Sequence, residues 1–178
     1  MRHKFIHRLS RFRHDDSGHA SIEFAIMFPI LFYFLLSAIE LGIMNLRDSM
    51  LERSLDIAVR EVRITTGFQP SHQELKVMIC DEAGMIPDCL NNLLLEMVQK
   101  DPRNWTDLSN STNCTNRAEE THPVTTFTPG QDNELMILRA CAKYEPMFNN
   151  YGLAGLLSKD SSGDISLIAI SAFVQEPK

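Results

Sequence analysis

The sequence predicts an α+β chain in which a long N-terminal helix carries a small head of short helices and an antiparallel sheet. Three observations lead there. Phe24 to Ile39 is a run of sixteen residues without a charge. Apolar residues then recur at helical spacing as far as Val62, and two late segments, Leu135–Tyr144 and Ile165–Val174, are rich in strand-forming side chains.

The uncharged run continues as ELGIMNL to Leu46, with Glu40 its sole ion, and residues 24–46 form a transmembrane helix candidate. At about 1.5 Å per residue the segment reaches about 35 Å, enough to cross a hydrocarbon core of about 30 Å with some tilt. A chain of 178 residues has too little other apolar material to surround a helix that is greasy on every side. A secretory signal peptide fits poorly, because a cut near the end of the run would put Ile39 or Glu40 where small residues belong.

Charge sets the expected topology. Arg2, Lys4, Arg8, Arg11 and Arg13 against Asp15 and Asp16 give the segment before Gly18 a charge of +3, so the total of −6 leaves −9 for the remainder. Arg47 to Arg63, beyond the apolar run, carries four Arg against Asp48, Glu52, Asp56 and Glu61 and balances to zero. The positive-inside rule then places the N-terminus in the cytoplasm and everything after Leu46 outside it. An acidic body offers no footprint for nucleic acid.

The expected organisation is a basic leader over 1–18, a long helix over 19–66 and an extracytoplasmic head over 67–178. In the second half of the helix, Leu51, Leu55, Ala58 and Val62 recur at steps of four, three and four among charged neighbours, a stripe suited to docking on the head. Thr65-Thr66-Gly67 with Pro70 ends it. Ser71-His72-Gln73-Glu74 is a capping-box pattern that opens a short helix through Cys80 to Gly84. A second helix is expected over Asp88–Lys100, with Leu90, Leu93, Leu94 and Met97 on one face. Asp101–Gln131, rich in Asn, Thr, Ser and Pro, reads as a surface excursion tied down by Cys114. The two strands follow, with a short packed segment between them containing Met147, Phe148, Tyr151, Leu153, Leu156 and Leu157.

Outside the cytoplasm the cysteines Cys80, Cys89, Cys114 and Cys141 can oxidise to two bridges. Three pairings are open, and Cys80 with Cys89 and Cys114 with Cys141 is the one favoured. No C-x-x-C pair occurs and the separations of 9, 25 and 27 fit no zinc-finger spacing, which argues against metal. His72 and His122 stand apart from any Ser or Cys motif, and no G-x-S-x-G occurs. No catalysis and no cofactor is expected.

The segment SGHASIEFAIMFPILFYFLLSAIELG resembles the N-terminus of type IV pilins and pseudopilins. More narrowly, Glu23-Phe24-Ala25, Pro29, Glu40-Leu41-Gly42 and the later RSLDIAVREVR resemble the TadE-like family of tight-adherence pilus assembly, over about Ser17 to Arg63. The resemblance implies a prepilin peptidase that cuts between Gly18 and His19. It also implies subunit assembly through Glu23 and Phe24, with Glu23 pairing the freed amine of a neighbouring subunit. Pro29 is the expected site of a helix kink or local loosening. Glu40, seventeen residues after Glu23, falls about 20° short of a whole number of turns, so the two acids can share one side of a helix as a polar intramembrane contact. The implied function is that of a minor pilin or pseudopilin supporting adhesion and biofilm formation. Its partners are the peptidase, other pilin subunits, an inner-membrane assembly platform and the bacterial inner membrane itself. An uncut single-pass anchored binding module or enzyme is the alternative.

Overall fold

A computed structural model of the chain describes residues 19–65, 69–108, 114–115, 126–148 and 152–177. The expected leader, including Gly18, lies outside the described residues, as do Thr66, Gly67, His122 and Tyr151.

One continuous helix, α1, runs His19–Ile64 over 46 residues. At about 1.5 Å per residue it is about 69 Å long, more than twice a bilayer's hydrocarbon thickness. Its two halves meet different surroundings. Every side chain from His19 to Leu35 is exposed, whereas Leu51, Leu55, Ala58, Val59 and Val62 are buried in the core. The stripe at steps of four, three and four is therefore the surface that the head packs against. The helix is long and apolar enough near its N-terminus to cross a membrane, and it suits a single-pass anchor.

The head begins with α2 (His72–Glu82), opened by a complete capping box. The Ser71 hydroxyl accepts from the Glu74 amide and the Glu74 carboxylate accepts from the Ser71 amide. The Ser71 amide, and then the Ser71 hydroxyl, donating to the Glu74 carboxylate hold that carboxyl below its usual range. Leu75 and Ile79, four apart, enter the core from this helix.

The structure corrects the helix expected over Asp88–Lys100. Only one turn forms, α3 (Cys89–Asn92), and Leu94–Lys100 is a strand, β1. The segment carries two patterns at once. Leu90, Leu93, Leu94 and Met97 suit a helix, but Leu93, Leu95 and Met97 alternate, and these three enter the main core while Leu94 is buried apart from it and Leu90 is 48% exposed. Tertiary context decides, because β2 (Leu135–Tyr144) offers backbone groups along its edge and β1 pairs with it antiparallel from Leu94↔Cys141 to Lys100↔Leu135. Asn92 begins the pairing two residues early: its side-chain carbonyl accepts from the Lys143 amide at 3.0 Å while its amide nitrogen donates to the Lys143 carbonyl.

The third strand, β3 (Ile165–Val174), pairs antiparallel with β2 along its full length, from Leu135↔Val174 to Tyr144↔Ile165. The sheet order is β1-β2-β3. Met136, Leu138, Ala140, Ala142 and Tyr144 of β2 face α1 and α2 with Leu167, Ala169 and Phe173 of β3, forming one core. Central β2 is buried on both faces. On the other face, Arg139 pairs with Glu96 across the strands at 3.3 Å, and Lys143 reaches Asp160 in the turn before β3.

Cys80 is bonded to Cys89, and Cys114 to Cys141. The first bridge closes the corner between α2 and α3, and the second pins the excursion to β2. Where that excursion returns, Phe127 lies beside Met97 of β1, and the Met97 amide donates to the Thr126 carbonyl at 2.9 Å. Between the strands the chain forms a 3₁₀ turn, Gly152–Leu156, laid against α1. Leu157 packs on the core, but Met147 and Leu156 are 62% and 80% exposed, so the expected packed segment is packed only in part.

Candidate functional site

At the start of α1 the residues singled out from sequence stand in the open. His19 and Glu23 are one turn apart, with Nε2 and Oε1 3.3 Å from each other and side chains 75% and 66% exposed. Among the described residues Glu23 thus has only a solvent-facing neighbour on its own helix, and none from the head. Phe24, 65% exposed, starts a ladder of rings with Phe28 and Phe32, centroids 5.1 and 5.6 Å apart. Residues four apart on a helix stand above one another, so these rings form one aromatic ridge. Ile22, Ile26, Met27, Ile30, Leu31 and Phe34 are exposed around it. Such a surface cannot remain in water, since burying each large side chain is worth about 1.5–3 kcal/mol.

Pro29 lies inside this stretch and α1 remains one helix across it. The proline cannot donate to the Ala25 carbonyl, so the ladder of helical hydrogen bonds has a missing rung there.

Glu40 is the larger departure from expectation. It does share a side of α1 with Glu23, but it is 3% exposed and turned into the head. The amides of Met147 and Phe148 donate to its two carboxylate oxygens, each at 3.3 Å. Two backbone donors offset part of the cost of enclosing a carboxylate. Glu40 therefore clamps the loop after β2 onto the helix, where a polar stripe along the membrane span was expected.

The clamp belongs to a polar cluster that sequence reasoning missed. Ser37 sits one turn before Glu40, at 5% exposure, and Arg47 two turns after it. The Arg47 guanidinium lies over the Tyr144 ring, 4.6 Å from its centroid, a cation–π geometry. Burial pushes the Tyr144 hydroxyl pKa up, and the Glu40 charge pushes it further. The Ser37 hydroxyl, Arg47 Nε and Nη1 and the Tyr144 hydroxyl are buried with no hydrogen-bond partner among the described residues. The signal was present: stepping back from Leu51 by fours and threes gives Arg47, Met44, Glu40 and Ser37. The docking stripe simply changes from apolar to polar as it descends.

Elsewhere, His72 stacks edge-on against Phe127 at 5.2 Å, and burial and then Lys76 lower its pKa. It serves as packing between α2 and the excursion. Among the described residues no group of three or more His, Cys, Asp or Glu side chains is arranged to hold a metal ion.

What distinguishes this chain is thus an N-terminal helix, apolar and uncovered at its start, with an acid at its fifth position and a docking stripe behind it. Residues 18–60 match the family of TadE-like proteins. The TadE-like segment begins at Gly18 and ends within the docking stripe, so it takes in Glu23, Phe24, Pro29, Glu40 and Arg47 and none of the sheet. The family is pilus-associated, and a membrane and pilin subunits suit the exposed helix as partners. Comparison with curated proteins and with solved structures returns no match.

Proposed function

We propose that this chain is a minor pilin or pseudopilin of a tight-adherence type IV pilus, cut between Gly18 and His19 by a prepilin peptidase. The carrying observation is the coincidence of the TadE-like match with the exposed half of α1. In the membrane, lipid covers the apolar surface from Ile22 to Leu35. In an assembling pilus, neighbouring helices replace it. Glu23 is the one acid on that bare surface, and a carboxylate held within hydrocarbon costs about 2.5–3.5 kcal/mol on insertion scales unless paired. Cleavage creates the partner, an α-amine at His19 of the next subunit, and pairing sets the register of one helix against another. The head stays outside the cytoplasm, where its disulfides form, and supports surface adhesion and biofilm formation.

Mass measurement of the membrane-extracted chain, made with and without the peptidase, tests the processing step. A mature start at His19 is expected. An intact Met1 in the presence of active peptidase leaves a static anchor and removes the pilin reading. A Glu23→Ala variant should still be inserted and cut, yet no longer support piliation; normal piliation in that variant would remove the role of Glu23 and leave cleavage standing.

A further inference from the structure

The uncovered part of α1 is shorter than a bilayer. Among the described residues Ser37 is the first buried position on α1, and a Cβ on Gly152 would lie 2.7 Å from its hydroxyl oxygen. From His19 to Ser37 the helix rises about 27 Å, and from Glu23 only about 21 Å, at about 1.5 Å per residue. The hydrocarbon core is about 30 Å thick, so a span starting at either residue carries the hydrocarbon boundary about 3 to 9 Å past Ser37. The edge of the head nearest the N-terminus of α1 must then lie inside that boundary.

The chain placed at this level suits such a position. Residues 146–158 contain no charged residue. Met147 and Leu156 point outward at 62% and 80% exposure, the latter being the most exposed large apolar side chain among the described residues. Both belong to the segment fastened to α1 at Ser37 and Glu40. Glu40, the acid at this depth, is folded inward and bonded to the Met147 and Phe148 amides, so that its charge is withdrawn from the outer surface. The far end of the sheet is elsewhere: Ser171 of β3 donates to Asp56, sixteen residues beyond Glu40, about 24 Å along the helix.

We infer that Met147 and Leu156 form a membrane foot, seated among the lipid acyl chains beside α1 and fixing the head's depth and tilt at the bilayer surface. The inference rests on α1 being a membrane span. It gives Glu40 a purpose, which is to hold the foot against the helix while hiding its own charge.

The test uses the full chain in phosphatidylcholine vesicles brominated on the acyl chains. With Trp105→Phe as background, single tryptophans are introduced by Leu156→Trp, Met147→Trp and, as a control at the far end of β3, Val174→Trp. All three replaced side chains are largely exposed, so the core is untouched. A foot buried about 5–10 Å into the boundary should lose at least about half its emission to the bromines, while the Val174 probe loses almost none. Flotation of the same vesicles separates the two levels of failure. Protein that floats with the lipid but is quenched equally little at all three positions keeps the span and overturns the foot. Protein that does not float overturns both. Efficient disulfide cross-linking of a Leu156→Cys variant between copies, with no quenching at position 156, would overturn lipid as the occupant in favour of a second copy.

Discussion

Replacing Asp160 by Asn should destabilise the head by about 2–3 kcal/mol at neutral pH, and the loss should fade in acid. Lys143 Nζ lies 2.5 Å from Asp160 Oδ2, with side chains 7% and 21% exposed. Asp160 Oδ1 accepts from the Ser162 and Asp164 amides, both at 2.9 Å. Asparagine can retain those two bonds but brings an uncharged NH2 group against the enclosed ammonium. Removing one partner of a buried pair costs about 3–5 kcal/mol, and the water that reaches the partly exposed Asp160 lowers that to about 2–3. The sign of the pH dependence follows from the carboxyl's surroundings. Burial alone would raise its pKa, but the bond from Lys143 and those from the Asp164 and Ser162 amides outweigh it and hold the group below its ordinary value of 3.8. A depressed folded-state pKa stabilises the fold above the unfolded value, and that contribution is lost as pH falls through the folded one. Urea unfolding of the full chain in detergent micelles, followed by near-ultraviolet circular dichroism, reads the difference; guanidinium, itself a salt, would screen the pair. A variant within about 0.5 kcal/mol of the parent at pH 7, the spread of ordinary surface changes, would refute the reasoning. So would a gap that widens below pH 3.8.

Gly152→Ala should cost about 1–3 kcal/mol, because φ is +67° there and the new Cβ would meet the Ser37 hydroxyl at 2.7 Å. Adding Ser37→Ala should recover the part due to the clash and none of the backbone strain, a split that thermal unfolding in micelles can resolve. Reduction should be costlier at Cys114–Cys141 than at Cys80–Cys89. Loop-closure entropy for separations of 27 and 9 gives about 3.6 and about 2.6 kcal/mol, so Cys→Ser pairs should differ by about 1 kcal/mol in urea midpoints converted to free energy. Equal losses would point to strain or residual structure in place of chain entropy.

The elements legible in the sequence were those with long, one-sided patterns. Leu135–Tyr144 and Ile165–Val174 are strands to the residue, and the capping box at Ser71–Glu74 opens α2 as its side chains require. Leu51, Leu55, Ala58 and Val62 lie against the core because a repeat of threes and fours puts them on one face. Leu94–Lys100 was ambiguous, since a seven-residue segment with apolar residues at both spacings suits either period. The free edge of β2, whose paired residues run from Leu135 opposite Lys100 to Cys141 opposite Leu94, is what made it a strand.

The candidate site divides in the same way. Charge asymmetry and the uncharged run from Phe24 by themselves determined that one end of this chain is apolar enough for an anchor and the other acidic, because hydration free energies are properties of the residues wherever they sit. The bare setting of Glu23 and Phe24 follows from that. Glu40 could not be placed this way: a helix fixes the side on which a residue lies but not what covers that side. Only the folded head, by bringing the amides of Met147 and Phe148 and the turn at Gly152 down onto Ser37 and Glu40, decided that this acid is enclosed.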